Sequence, residues 1–495
     1  MNRTYALSPT PRPAQAQPGA RAVAAKSQHA LPLRQVPPQG AAAHAVGLSG
    51  YLASLGQRAG WAGTGRGARV AVVGSGIAGL SAAWTLSQQA HVTLFEAGVY
   101  FGGHTHTVDV ALEGQRCGVD TGFLVFNERT YPLLIQLFAQ LGVETVASEM
   151  SFSVQLPSHG REGLEWSGSN LNSVFSQRSN LLRPGFWRML RDLLRFNRIT
   201  TALAEEGQEA ALAQPIGEFL QAHGFSAEFR DWYLLPMVAC IWSCPTEQML
   251  QFPVQTLIRF CHNHGLLQVA NRPQWFTVRG GARHYVDKLL RQITERRLNT
   301  PVLGVQRQPG GVVLRTAHGV EHFDAVVLAS HSDQSLRLLS DASREEQQIL
   351  GAVRYHQNRA VLHTDTTLLP RHRRSWAAWN YERGAGGQES QAVCLHYLLN
   401  RLQPLPWQQP TMVSLNPVRE PAAPRVLGEY DYAHPVFDQA AIQAQQRLGD
   451  IQGNGKVWFC GAWTRYGFHE DGLLSGLRVA QKVAATLDLQ SRAMS

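Results

Sequence analysis

Residues 69–103 read RVAVVGSGIAGLSAAWTLSQQAHVTLFEAGVYFGG. Val70–Val73 is a short apolar run of the kind that forms a parallel strand buried on both faces. The next six residues, Gly74-Ser75-Gly76-Ile77-Ala78-Gly79, fit G-x-G-x-x-G, and Leu80, Ala83, Trp84 and Leu86 follow at helical spacing. His91–Phe95 reads as a second strand ending at Glu96-Ala97. The glycines have separate tasks. Gly74 permits the strand-to-helix turn, Gly76 lets a pyrophosphate reach the backbone, and Gly79 lets helix and strand pack closely. The phosphates would rest on free N–H groups at the helix N-terminus. Glu96 is placed to accept hydrogen bonds from a ribose. Strand, turn, helix, second strand and terminal acid stand in register, and together they predict a dinucleotide-binding unit.

The chain has 495 residues, enough for two or three domains. Its net charge of +9 is not spread evenly. Residues 1–66 hold seven basic side chains and no Asp or Glu, so the remainder sums to only +2. A nearly neutral body excludes a nucleic-acid function. The first 45 residues are rich in Ala, Pro, Gln and Arg and too poor in apolar residues to fold. A disordered basic extension over 1–66 is therefore expected. An organelle transit peptide is the alternative, though a clear amphipathic helix is lacking. Leu48, Tyr51, Leu52 and Leu55 suit one short helix that packs on the body or touches a membrane. No run of 18 or more apolar residues is present, so no spanning helix is expected; the cysteine usage suits a cytoplasmic protein. The six cysteines (Cys117, Cys240, Cys244, Cys261, Cys394, Cys460) form no C-x-x-C pair and read as reduced, mostly buried thiols. The nineteen histidines show no H-E-x-x-H, and no metal site is expected.

Outward from the opening unit, Gly102-Gly103-His104 begins a second glycine turn, followed by a hairpin and Gly118–Phe126 (GVDTGFLVF). Residues 130–142 have helical periodicity, and 151–168 look like strands of another sheet. Over 183–206, Phe186, Trp187, Met189, Leu190, Leu193, Leu194 and Ile199 oppose Arg188, Arg191, Arg195 and Arg198. Such a basic amphipathic helix suits a membrane surface, although an ordinary core-covering helix is the favoured reading of the same pattern. Trp232–Cys244 is apolar and aromatic enough to line a cavity. A glycine turn opening a helix returns at 275–290, a strand meander at 300–330, and a strand plus helix at 456–487. The order predicts an α/β protein. A Rossmann-like domain from residues 67–127, 272–345 and 450–490, with a parallel sheet and a β-meander, is interleaved with a mixed α+β substrate domain from 128–271 and 346–449. Without a second G-x-G-x-x-G after a strand, one dinucleotide is expected, held along its whole length.

Four stretches together resemble the flavin-containing amine oxidase and phytoene desaturase superfamily: VAVVGSGIAGLSAAWTL…FEA, the downstream GG, VDTGFLVF, and FCGAWTRYGFHEDGLLSGLRVA. Within it, LVFNERTYPLL, IWSCP, HNHGLL, FTVRGGARHYV, SWAAWNYER and YGFHEDGLLSG are most similar to bacterial NAD/FAD-binding, amine oxidase-like proteins. Those are similar in turn to the flavoprotein arm of plant cyclopropane fatty acid synthases and to flavoproteins implicated in making modified fatty acids. The resemblance spans residues 68–488 and implies non-covalent FAD. Carried over, Gly74, Ser75, Gly76, Ile77, Ala78 and Gly79 would bind the pyrophosphate, and Glu96 with Ala97 the adenosine ribose end. Gly102, Gly103 and His104 would lie along the ribityl–phosphate region, and Val302 at the adenine. Gly461, Asp471 and Gly472 would hold the ribityl and flavin end, with Thr121, Gly122, Phe123 and Leu124 forming a strand against the flavin ring.

Departures from the family narrow the chemistry. His104 stands where the family usually has Arg, and Ala462 where an acid is common. Amine oxidases of the superfamily keep a lysine near the flavin, and this chain has only Lys26, Lys288, Lys456 and Lys482. Their aromatic cage also needs an aromatic residue two before Asp471, and His469 is found there. His104, His106 and His469 are the histidines nearest the flavin by motif, and His469 is the candidate catalytic residue. Trp232, Trp242, Phe252, Trp275, Trp376 and Trp379 are candidates to line an apolar tunnel. The expectation is an FAD-dependent oxidoreductase, desaturase-like, acting on a lipid acyl or other apolar substrate, with residues 183–199 as a peripheral contact at the inner membrane face. A flavin amine oxidase is the first alternative. A non-catalytic, FAD-stabilised, lipid-holding partner of a methyltransferase is the second.

Overall fold

The structure, a computed structural model, describes residues 49–50, 52, 67–207, 212, 214–242, 249–263, 266, 273–384 and 393–493. The extension read over residues 1–66 lies outside the described residues except for Ser49, Gly50 and Leu52, and Cys244 lies outside them too. Leu52 is fully buried. Gln136 Nε2 donates to the Ser49 carbonyl at 2.8 Å, and Gln140 Nε2 donates to that of Leu52 at 2.6 Å, so this piece packs on the body.

The opening unit forms as the sequence dictates. β1 (Arg69–Val73) and β2 (His91–Phe95) lie parallel, with Val70 beside Val92 and Val73 beside Phe95. β3 (Glu295–Arg297), β4 (Ala325–Leu328) and β5 (Val457–Phe459) complete an all-parallel sheet in the order β3-β2-β1-β4-β5. Both faces are covered, which is why the strands are apolar throughout. Val70, Val72, Val92, Leu94 and Val327 face the helices, while Ala71, Val73, Phe95, Val326 and Leu328 face the meander of residues 302–323. β3 was not expected, because its sequence is Glu-Arg-Arg. It sits at the sheet edge, where Arg297 pairs with Glu295 and Glu321, and charge is tolerated there.

Three helices position the site: α1 (Ile77–Leu86), α2 (Pro184–Glu205) and α3 (His469–Ala493). Every residue of α1 is buried, as an apolar helix between two layers must be. α3 begins three residues before, and ends six after, the expected 472–487 helix. It crosses α1 closely. A Cβ on Gly472 would lie 2.7 Å from Ile77 Cγ2, and one on Gly476 2.2 Å from the Ala78 carbonyl oxygen.

A seven-stranded mixed sheet runs 426–436, 354–363, 412–415, 394–398, 379–382, 152–156, 164–167. Its core joins helices between residues 184 and 263 in one apolar cluster. The strand that the resemblance implies over Thr121, Gly122, Phe123 and Leu124 does not form. Gln115–Asp120 and Phe126–Asn127 are strands, and residues 121–125 are not. The cause is the second glycine turn: Gly122 presses so closely that a Cβ would lie 2.1 Å from the His104 carbonyl oxygen, and Phe123 N–H bonds that oxygen at 2.8 Å.

Candidate active site

The site starts where β1 stops. Gly74 has φ +103°, and a Cβ there would sit 3.0 Å from the Ala329 carbonyl oxygen, so the turn requires glycine. The first intrahelical bond of α1 runs from Leu80 N–H to the Gly76 carbonyl at 2.9 Å. The N–H groups of Ile77, Ala78 and Gly79 therefore have no acceptor inside the helix. Glu96 welds the turns together. Its Oε2 accepts from Ser75 N–H (3.0 Å) and from the Ser75 hydroxyl, its Oε1 accepts from Gly98 N–H (2.8 Å), and Ser75 Oγ accepts from Gly102 N–H (3.1 Å). The second turn touches the first, since a Cβ on Gly103 would lie 3.0 Å from Gly76 Cα.

These residues open onto a cavity of about 1750 Å³. Ordinary small-molecule pockets hold roughly 300–1,000 Å³, so there is room for a dinucleotide and a second molecule. Gly74, Ser75, Gly76, Ile77, Ala78, Glu96, Ala97, Gly102, Gly103, His104 and Val302 line one end. Thr121, Gly122, Phe123, Leu124, Gly461 and His469 line the middle.

Three expected contacts lie behind the wall instead. Gly79 is filled by packing, because a Cβ there would meet the Gly74 carbonyl oxygen at 1.9 Å. Gly472 abuts Ile77. The Asp471 carboxylate turns back to accept from Phe468 N–H at 3.1 Å beside Arg465 (3.6 Å), and burial pushes its pKa up to about 6. Asp471 thus pins the loop before α3, and Phe468 and His469 face the cavity in its place.

His469 is stacked on Phe123, with ring centroids 3.7 Å apart, and its Nε2 lies 2.9 Å from Thr105 Oγ1 and 3.1 Å from the Tyr285 hydroxyl. Burial drives its pKa down to about 3, so the ring is neutral at pH 7. The ring, stacked on Phe123 with its Nε2 shared between Thr105 and Tyr285, is held at the cavity wall, and its low pKa makes it a weak proton acceptor. His106 does not line the cavity. It stacks on Tyr100, and its Nδ1 lies 3.0 Å from Thr121 Oγ1.

Two observations show that the residues fit FAD. A Cβ added to Gly76 would meet nothing within 4 Å, which leaves an open cradle before the free N–H groups of α1. The Nε2 atom of His104 is buried, yet it has no hydrogen-bond partner. Burial, then the neighbouring His434 and His331, holds its pKa well below the usual value. A neutral ring with an unpaired polar atom beside the second glycine turn calls for a polar group of a bound molecule.

The far end is a different environment. Tyr233, Met237, Cys240 and Ile241 line it from one face of a helical segment (a π-helical turn, Arg230–Leu234, then Leu235–Trp242). Leu190, Leu193, Leu194 and Asn197 of α2 line it opposite. Of the aromatic candidates, Trp242, Trp275 and Trp379 reach the cavity and three do not. Trp232 packs against His159, Phe252 is buried against Trp242, and Trp376 donates to the Pro370 carbonyl. Sequence reading missed His331, Tyr355, Gln357, Tyr432 and His434, which belong to no motif and arrive from the large sheet and the loop after β4. The alternation of Tyr430, Tyr432 and His434 along one strand was the only signal.

Among the described residues, no lysine lines the cavity. Lys288 Nζ donates to the Leu141 and Gly142 carbonyls, and Lys456 Nζ donates to that of Gly310. One buried grouping, Glu382, Cys394 and His396, has metal-ligand chemistry. Glu382 already accepts from Arg419 Nε at 3.0 Å, and His396 is bonded on both sides by Ser414 and Glu382, so it reads as a satisfied polar network.

A parallel-sheet cradle for a dinucleotide, opening directly onto a chamber for a second molecule, defines a flavin-dependent oxidoreductase. The chain belongs to the flavin-containing amine oxidoreductase family, whose model matches residues 77–397, and its cofactor is FAD. Solved structures share the fold. The CLA-producing fatty acid isomerase from P. acnes is similar with TM-score 0.60 at 14% identity, over 85% of this chain and 99% of that one. Cyclohexylamine oxidase from Brevibacterium oxydans IH-35A is similar with TM-score 0.58 at 16% identity, over 85% and 100%. Putrescine oxidase bound to putrescine is similar with TM-score 0.58 at 15% identity, over 84% and 99%. No curated protein sequence matches the chain.

Proposed function

We propose that this FAD-dependent oxidoreductase dehydrogenates a lipid acyl chain or a similarly apolar substrate. The observation that carries the reading is the lining of the far chamber. Between Met150 and Trp275, the described residues facing it include no acid and a single charge, Arg191. An ammonium substrate entering there would lose its hydration with no counter-charge to replace it. Each methylene of an acyl chain would instead gain about 0.8 kcal/mol on burial. His469, at the position where the resemblance puts a cage aromatic, is stacked on Phe123. A fatty acid isomerase among the structures of the same fold accords with an acyl substrate.

Bound FAD supplies the acceptor for a hydride leaving a substrate carbon. The chain's own residues hold and orient the substrate. Trp242, Trp275 and Trp379 wall the chamber with apolar surface, which excludes water from the reacting carbon. The Thr105–Tyr285–His469 network fixes the Phe123 face. Anaerobic addition of phospholipids with unsaturated or methylated chains, and separately of polyamines and aromatic amines, tests the reading. Bleaching of the flavin band by lipids alone is expected. Bleaching by amines alone would overturn it.

A further inference from the structure

Ten large apolar side chains stand exposed among the described residues, and five of them fall between residues 171 and 194. Leu171 is 78% exposed, Leu182 86%, Leu194 56%, Trp187 50% and Leu181 45%. Isolated exposed leucines need no explanation, but a contiguous set does. Leu171, Trp187 and Leu194 also line the chamber, so this patch is continuous with its interior and forms its rim. The inward side of α2 is accounted for separately by Phe186, Met189 and Phe196, which are buried in the core.

The rim is also basic. Residues 171–199 contain six arginines and one acid, Asp192. Part of that charge is spent within the molecule: Arg188 pairs with Glu228, and Arg195 lies over the Phe225 ring while donating to the His223 carbonyl at 2.5 Å. Arg191 lies 3.6 Å from the buried Asp192 carboxylate but keeps a side chain 71% exposed, and Arg198, also exposed, points outward on the same helix. Leucine and tryptophan beside arginine is the composition that seats a helix in the headgroup layer of an anionic bilayer.

We propose that the rim formed by residues 171–199 docks on an anionic phospholipid bilayer and is the entrance through which an acyl chain passes into the chamber. The inference rests on the acyl-substrate reading above. Charge complementarity selects the bilayer as occupant. Continuity with an apolar chamber gives the docking a purpose, since a lipid can leave the membrane without crossing water.

The test uses the full-chain holoprotein with phosphatidylcholine vesicles, with and without phosphatidylglycerol. Wild type should sediment with the anionic vesicles at low salt and leave them at high salt. Brominated acyl chains should quench its fluorescence, and Trp187→Phe should reduce that quenching, leaving the part due to the chamber tryptophans Trp242, Trp275 and Trp379. Each basic residue near an anionic surface contributes about 1 kcal/mol, so Arg198→Glu, a change of two charges, should weaken binding about 30-fold. Leu182→Asp should weaken it further. Both positions are exposed and lie off the chamber wall, so flavin content and melting temperature should be unchanged. Wild type that ignores anionic vesicles would overturn the proposal. So would unchanged binding by the variant carrying both Arg198→Glu and Leu182→Asp, or a wild-type dimer that this variant dissociates, which would make a second copy the occupant. Flavin bleaching by detergent-dispersed lipid tests the acyl reading separately, since it needs no docking.

Discussion

Replacing Gly76 with valine should strip the protein of flavin while leaving the polypeptide folded. Gly76 has φ −62° and ψ 174°, a conformation open to any residue, and an added Cβ would meet nothing within 4 Å. The apoprotein therefore has no steric reason to change. The space a branched side chain would take lies before the N–H groups of Ile77 and Ala78, which line the cavity where a pyrophosphate must approach. Losing two backbone bonds to a charged phosphate, at about 1.5–3 kcal/mol each, costs about 3–6 kcal/mol. That is roughly a 10²- to 10⁴-fold weaker dissociation constant. Flavin-to-protein absorbance ratios after gel filtration, with calorimetric titration of apoprotein, measure this, and thermal unfolding of wild-type apoprotein is the reference. Gly79→Ala is the contrasting control, since its Cβ would lie 1.9 Å from the Gly74 carbonyl oxygen and must disturb the fold itself. A Gly76→Val protein that leaves the column fully loaded refutes the pyrophosphate assignment. One whose apoprotein melts well below wild-type apoprotein refutes the claim that the cradle is open.

Other outcomes follow from the same contacts. Glu470 is half-buried and accepts from Leu133 and Leu134 N–H at 2.9 and 3.0 Å, and desolvation pushes its pKa up to about 8. Between its unfolded value near 4.5 and 8, the folded state holds a proton that the unfolded state has lost, so its contribution to stability falls as pH rises. Glu470→Gln should therefore gain on wild type between pH 5 and 8, by up to about 1.4 kcal/mol per unit, in denaturant titrations; a constant difference would contradict the shift. Leu193→Trp should block the chamber, lowering kcat/KM for lipid at least tenfold (a change of about 1.4 kcal/mol) with flavin retained, and unchanged turnover would remove α2 from the substrate path. Gly476→Val, whose Cβ would lie 2.2 Å from the Ala78 carbonyl oxygen, should cost about 1–3 kcal/mol and lower the melting temperature; an unchanged melting curve would show that α1 and α3 can separate freely.

The cradle was legible because its physics is local. Gly74, Gly76 and Gly79 each answer a constraint set within a few residues, and Glu96 is fixed by the strand that carries it. The return of distant segments to the parallel sheet was legible for a related reason: a strand buried on both faces must be apolar throughout, and Val326–Leu328 and Val457–Phe459 are. β3 was missed because an edge strand of Glu-Arg-Arg carries no such mark. Asp471 was misplaced because spacing along a chain does not say which way a side chain turns at a helix start, and Arg465 with Phe468 N–H turns it away from the cavity. The chamber was half legible. The face Tyr233–Met237–Cys240–Ile241 follows helical periodicity, but Trp232 and Trp242 look alike in sequence, and only packing sends one to His159 and the other to the cavity wall. The rim was the hardest part to read, because an amphipathic helix shows which residues differ in polarity and not which of them are left uncovered.

The most direct test of the account is a single anaerobic turnover, with flavin reduction followed by absorbance and the lipid recovered for mass spectrometry. The account predicts that each flavin reduced yields one lipid lighter by two hydrogens, with the new double bond in the acyl chain. Reduction by an amine with the lipid recovered unchanged, or a lipid altered without loss of mass while the flavin stays oxidised, would contradict it.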